Sequence, residues 1–337
     1  MYKKSYAVII LVALLIFSAI FSVGIGRISV SVGDIFAVLL SPFFDTQIVG
    51  ENSEVVVKVI RGPRILIAIL VSAALAISGA AYQGLFKNPI VSPDILGVSA
   101  GAGVGASIAI IYSFGAFMTQ VMAFTFGIMA VFLVIALSSI VSRGRINILM
   151  MILSGIVISS LFSACTSLLK YLADAEEKLP EITFWLMGSL AKSGVEENII
   201  IMIIVMLLGS IPLFLLRWKI NVLSFGEEEA KAMGVNTKLV SLIIIFSSTL
   251  LTASSVAICG IVGWIGLVVP HIARLLVGPD FRILLPTSML VGATFLIWVD
   301  NLARSLTASE LPLGILTSVI GAPIFIFLLI RGKKGWV

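Results

Sequence analysis

Apolar runs of about twenty residues recur along nearly the whole chain, and that recurrence decides the solvent before any other feature is considered. Coiled as a helix at 1.5 Å per residue, such a run crosses the roughly 30 Å hydrocarbon core of a bilayer. Lipid offers no water to a bare N–H or C=O, so only helices and closed barrels cross it. Barrel strands are about ten residues long and alternate in polarity; these runs are longer and do not alternate. Charged residues make up 12% of the 337 residues, about half the share of a soluble domain, and mean hydropathy is +1.19. The expectation is an all-α fold: one polytopic membrane helical bundle over residues 1–337, in place of the two soluble domains that length alone would suggest.

Ten spans are placed near 5–25, 64–84, 95–113, 118–141, 147–170, 198–216, 239–259, 264–277, 284–299 and 312–330, the eighth being short. The run behind Lys3 and Lys4 resembles a signal peptide. It is longer than an h-region and no small-residue cleavage site follows it, so it is read as an uncleaved first span. An even number of spans puts both termini on one side, and the positive-inside rule chooses the side. With a cytoplasmic N-terminus, fourteen Lys and Arg and five acids face inward, against eight and twelve outward; the inner side is then +9 and the outer −4. The basic balance is a topology signal and does not imply nucleic acid. Two outer segments are long, 27–63 and 171–197, and long loops often carry function.

One inner segment stands apart. "SFGEEEAKAMGVN", residues 224–236, places three carboxylates between two apolar runs. Acids in a first turn suit the positive end of the helix dipole, "AKAM" favours helix, and Gly234 suits the position just past a helix end. The segment predicts a short cytoplasmic helix within about 221–236. It is either a solvated loop helix or a docking element for a cytoplasmic partner, with Ala230 and Met233 as its small apolar face.

Other features carry less. "GAGVGAS" at 101–107 has glycines spaced for close helix packing and lacks the preceding strand of a dinucleotide site. Cys165 and Cys259 fall inside spans and read as small apolar residues. His271, the one histidine, has no Cys or carboxylate beside it and reads as a structural hydrogen-bonding residue; no metal site is assigned. No G-x-x-x-x-G-K-[ST] is present, so ATP hydrolysis is not expected of this chain. Pro89 and Pro93 mark a cytoplasmic turn. Gly155, Ser159, Ser163, Thr166 and Lys170 share one helical stripe, which suits either helix contact or a wet lumen.

Four stretches together resemble the FecCD-type permeases, membrane subunits of ABC importers for iron chelates, haem and cobalamin. They are "RGPRILIAILVSAALAISGAAYQGLFKNPIVSPDILGVSAGAGVG" at 61–105, "LSFGEEEAKAMGVN", "GWIGLVVPHIARLLVGPDFRILLP" at 263–286 and "ELPLGILTSVIGAPIFIFLLIR" at 310–331. The resemblance covers nearly all of the chain and implies type II ABC importer permease architecture. It implies that Gly226, Glu227, Glu228, Glu229, Ala230, Met233 and Gly234 couple to a separate ATPase subunit. ATP and Mg would be bound there, with no cofactor in this chain. It implies a homodimer of permeases, two ATPases and a periplasmic or lipid-anchored binding protein that docks on Arg61, Arg64 and Arg304. A cytoplasmic gate is implied at Asn88 and Ile90, with Ile148 and Leu149 opposite. There "NIL" stands where the cobalamin permease carries small hydroxyls, so the gate is greasier. The family lines its pathway with the fifth span, which favours a lumen role for Gly155, Ser159, Ser163 and Thr166. The implied place is the cytoplasmic membrane, with both termini inside. Iron–siderophore complexes lead as cargo, with cobalamin, haem and molybdate as alternatives. An ion-coupled secondary transporter is disfavoured because no acid falls within the expected spans away from their ends. An intramembrane hydrolase is disfavoured because no Ser/His or paired-carboxylate centre lies at depth.

Overall fold

The computed structural model describes residues 2–26, 30–41, 53–143, 147–191, 194, 196–307 and 309–332. Of the charges used for topology, Arg27, Asp45, Glu51, Arg145, Lys192, Lys333 and Lys334 lie outside the described residues. Among the described residues, seven helices are long and apolar enough to cross a membrane, and three shorter apolar helices stand at the remaining expected spans.

The order is α1 (Tyr2–Gly24), α2 (Val32–Leu40), α3 (Ser53–Val55), a π-helical stretch (Val56–Arg61) continuing into α4 (Gly62–Leu85), and a 3₁₀ turn (Pro93–Leu96). Then follow α5 (Val98–Ile111), α6 (Ala116–Val141), α7 (Ile148–Leu172), α8 (Lys178–Met187) and α9 (Glu196–Phe225). The chain ends with α10 (Glu227–Ala232), α11 (Thr237–Cys259), α12 (Ile265–Val277), α13 (Phe281–Ser305) and α14 (Leu313–Gly332). Three spans run longer than the sequence suggested. The second starts at 53, the ninth reaches 305, and the sixth runs to 225, taking residues 221–225 from the expected inner helix.

The sequence of α4 explains its place at the centre. It is rich in Ala, Gly and Ser, and it packs against α9, α11, α12 and α13. Small residues let backbones touch: a Cβ on Gly79 would collide with the Gly266 carbonyl of α12. In lipid, where apolar transfer does not drive helices together, this close packing is the main source of association. The glycines of "GAGVGAS" do the same work. Cβ atoms at Gly101 and Gly105 would strike the Phe126 and Met122 carbonyls of α6.

Two expected spans are short. With 14 and 13 residues, α5 and α12 are about 20 Å long, less than the bilayer core. Both lie mostly inside the protein, and non-helical backbone near their ends is tolerated where protein satisfies it. At the end of α11 the Cys259 carbonyl accepts from Ser189 N–H at 2.8 Å, and the neighbouring Gly188 carbonyl accepts from Leu313 N–H, at the start of α14, at 3.0 Å. By contrast, α1, α6, α7 and α9 leave broad apolar faces open, the pattern of helices that meet lipid or a second chain.

Candidate functional site

The chemistry-bearing residues gather at the two ends of the bundle. At one end α10 hangs between α9 and α11. One residue, Gly226, separates Phe225 from Glu227. Ala230 is buried in the main core while Met233 is 56% exposed, so these two do not form one outward face as the sequence suggested. The helix stops as expected. Gly234 has φ +76°, its N–H donates to Lys231 O at 2.9 Å, and Val235 N–H donates to Ala230 O at 2.9 Å. That is a Schellman cap, completed by the buried pair Val235 and Ala230. Asn236 then caps α11, accepting from Leu239 N–H at 3.1 Å.

The three carboxylates are not equivalent. Lys231 pairs with Glu227 at 3.1 Å and with Glu228 at 3.2 Å. Hydrogen bonding first to Glu227 and then to Glu228 raises the Lys231 pKa above the ordinary lysine value, so the ammonium is secure. Glu227 also accepts from Thr237 Oγ1 at 3.3 Å. Glu229 folds back against Gly226, where a Cβ would strike its carboxylate. Glu227 is thus held from two sides and Glu229 lies against Gly226, while Glu228, paired only with Lys231, keeps its side chain 87% exposed.

The loop from 87 to 92 follows the end of α4, where Gly84 meets Ile220 of α9. Asn88 Oδ1 accepts from Ile90 N–H at 3.0 Å, an Asx turn that leaves Ile90 56% exposed. Asn147 caps α7 by accepting from Met150 N–H at 3.2 Å; Ile148 packs on the core and Leu149 is exposed. Because α7 packs on the 3₁₀ turn that ends the loop, the two expected gate elements sit on adjoining pieces of the fold.

At the opposite end the three arginines expected to face a docking partner are turned inward and nearly covered. Arg64 Nη2 lies 2.7 Å from Asp300 Oδ1 and its Nη1 lies 2.9 Å from Glu310 Oε1. Arg304 Nε lies 3.2 Å from Asp300 Oδ2, and its Nη2 donates to Ser22 Oγ at 2.7 Å. Arg61 donates to the Val23 carbonyl at 2.5 Å. A guanidinium fork suits this work, since it can grip two carboxylates at once. The cluster fastens α1, α4, α13 and the loop before α14. Sequence reasoning missed Asp300, which is 1% exposed inside α13, because the ninth span was ended at residue 299.

The stripe on α7 divides. Gly155 meets the Ile95 carbonyl, Ser159 Oγ is 2.8 Å from where a Cβ on Gly97 would stand, and Thr166 Oγ1 is 3.6 Å from one on Gly103. These three serve packing against α5 and the 3₁₀ turn, and of the four only Ser163 is exposed. The open face of α7 is a neighbouring one carrying Ser160, Ala164 and Ser167. His271 bonds the Leu267 carbonyl through Nδ1 at 3.2 Å and stands edge-on to Phe325, the structural role its isolation suggested. A cleft of about 730 Å³, bordered by Glu177, Lys178, Glu181 and Trp185, contains none of the sequence-derived site residues.

Comparison with known proteins agrees with this layout. The profile of the FecCD transport family matches residues 14–331. The molybdate import system permease protein MolB of Haemophilus influenzae is 45% identical over 327 residues, covering 96% of this chain and 95% of that protein. The cobalamin import system permease protein BtuC of Halobacterium salinarum is 40% identical over 285 residues, covering 83% and 75%. Among solved structures, an inward-facing transporter assigned to the metal-chelate ABC type superposes with a TM-score of 0.85 at 42% identity, covering 96% of this chain and 98% of that one.

Proposed function

The chain belongs to the FecCD transport family, and from that premise we propose a full reading of its work. It is an ABC importer permease for metal chelates or related substrates. In our reading it sits in the cytoplasmic membrane with both termini inside and pairs with a second copy of itself. Two ATPase subunits beneath supply the energy, and a binding protein delivers cargo from outside. Residues 227–233 take up the movement of the ATPase, and the loop bearing Asn88 and Ile90, with Ile148 and Leu149, closes the inner mouth. The observation that carries this is α10 itself. It is a six-residue helix capped at its C-terminal end, held one residue from the end of a long span, with Glu228, Phe225 and Met233 presented outward. Two turns have no stability of their own, so a cap that defines them points to a surface used for contact.

A docking role for Arg61, Arg64 and Arg304 survives in an indirect form. They set the shape of the outer rim and leave Glu310, 35% exposed at its side chain, at its edge. The cargo reading leads with molybdate-type oxyanions, supported by the 45% identity with the molybdate permease along nearly the full length and by the bulky Ile148 and Leu149. Iron chelates are the second reading, supported by relatives in Helicobacter pylori that are named for iron chelatin transport. Uptake of labelled molybdate and of a labelled ferric siderophore, each with and without residues 227–233, tests both levels. Loss of all uptake on deletion supports the coupling role, and undiminished ATP-dependent uptake refutes it. The label that enters names the cargo.

A further inference from the structure

We infer that Asn221 is the positioning residue through which movement of α10 reaches the inner loop at 87–92, an inference that rests on the coupling reading above. The argument starts from a side chain with two different ends. Asn221 Oδ1 accepts from Phe281 N–H at 2.9 Å, and its Nδ2 donates to Asp280 Oδ1 at 2.7 Å. A backbone N–H needs an acceptor and a carboxylate needs a donor, so the orientation of the amide is forced by its partners. Asp280 also caps α13, accepting from Arg282 N–H at 3.0 Å. The last turn of α9 is therefore fastened to the first turn of α13.

That junction lies against the end of α4. Ile220 and Phe281, both buried, converge on Gly84: a Cβ there would stand 2.6 Å from Ile220 Cγ2 and 2.7 Å from Phe281 Cζ. Glycine lets the three helices meet at one point, and such a tight point transmits displacement because packed interiors yield little. Gly84 is followed by Leu85, where α4 ends, and then by the loop. Its neighbour Gln83 holds that loop from inside. Gln83 Nε2 donates to the Val91 carbonyl at 3.4 Å and to Leu267 O at 3.3 Å, while its Oε1 accepts from Arg274 Nη2 at 3.0 Å. From α10 the contacts thus run through the α9 tail, the start of α13 and the end of α4 to the loop bearing Asn88 and Ile90. No step in this chain passes through lipid-facing side chains.

Spatial continuity alone does not establish coupling, so the test reads coupling directly. The assembled transporter, with its ATPase subunits in lipid nanodiscs, carries Ile90→Cys as reporter on a Cys165→Ser, Cys259→Ala background. The rate of labelling by a charged maleimide is measured without nucleotide and with ATP plus vanadate. Coupling of this kind corresponds to roughly five- to 150-fold. With Asn221 present the two rates should differ within that range; with Asn221→Leu the ratio should fall to within about twofold, and Gly84→Ala should shrink it in the same direction. Should Asn221→Leu not assemble, Asn221→Asp, which keeps the acceptor for Phe281 and repels Asp280, is read the same way. A side chain that merely stabilises the turn would lower thermal stability, leave the ratio intact and overturn the inference. Deletion of residues 227–233 separates the two levels. If the deletion keeps the nucleotide response, the coupling reading fails; if it abolishes the response while Asn221→Leu keeps it, only the role of Asn221 fails.

Discussion

Asp300 shows how a single carboxylate can be read two ways. Alone in a span it would mark an ion pathway; here Arg64 and Arg304 hold both of its oxygens at 2.7 and 3.2 Å. Its oxygens are already taken up by contacts between α4 and α13, so it serves to join helices. Removing it strands two nearly buried arginines, the costly way to break a buried pair, at about 3–5 kcal/mol. Asp300→Ala should therefore lower the apparent melting temperature of the purified protein sharply. Glu310→Gln, which touches only the half-open side of the Arg64 fork, should cost about 1 kcal/mol or less. Thermal unfolding of both variants in one detergent checks the order; equal losses would mean that Asp300 is not the hub. The arginines were legible in the sequence as residues near span ends. Their partners were not, because Arg64 and Asp300 are 236 residues apart and only the packing of α4 on α13 brings them together.

At the scale of elements, what was legible had a local cause. The end of α10 was readable because a left-handed residue after a helix nearly demands glycine, and Gly234 sits there at φ +76°. Gly234→Ala should cost about 1 kcal/mol, concentrated in the last turn. Hydrogen exchange at the amides of Gly234 and Val235, which close the cap, should quicken while α9 and α11 keep their protection; unchanged exchange would rule out the cap. Close packing by α5 was legible for a similar reason, since glycines four apart license close approach; that α6 is the neighbour was not. Gly105→Val, aimed at the Met122 carbonyl, should destabilise by about 1–3 kcal/mol. Gly263→Ala is the control: nothing lies within 4 Å of its added carbon, and thermal unfolding should shift by no more than about 0.5 kcal/mol. What was not legible at this scale is which face of α7 serves which purpose. A stripe of small residues looks the same whether it meets a helix or water, and the neighbour that claims Gly155 and Ser159 is a 3₁₀ turn some sixty residues earlier.

For the molecule as a whole, the seven long apolar helices and the three shorter ones were readable because hydropathy reports the solvent directly, and lipid permits few alternatives. Span ends were less readable, because α9 and α13 run on into polar residues where the protein, not lipid, is their surroundings. The sidedness of the bundle remains an inference from charge: with the N-terminus inside, the inner side carries +9 and the outer −4. That orientation places α10 and Ile90 on one side and Glu310 on the other, a demand no local feature makes. Single cysteines at Glu228, Ile90 and Glu310, on the same cysteine-free background, test it with a membrane-impermeant maleimide. In right-side-out vesicles only the Glu310→Cys variant should label; in inverted vesicles Glu228→Cys and Ile90→Cys should label and Glu310→Cys should stay protected. The reverse pattern would put α10 outside the cell, out of reach of any cytoplasmic ATPase. The coupling role would then fall together with the relay through Asn221, even though every contact in the bundle stayed as it is.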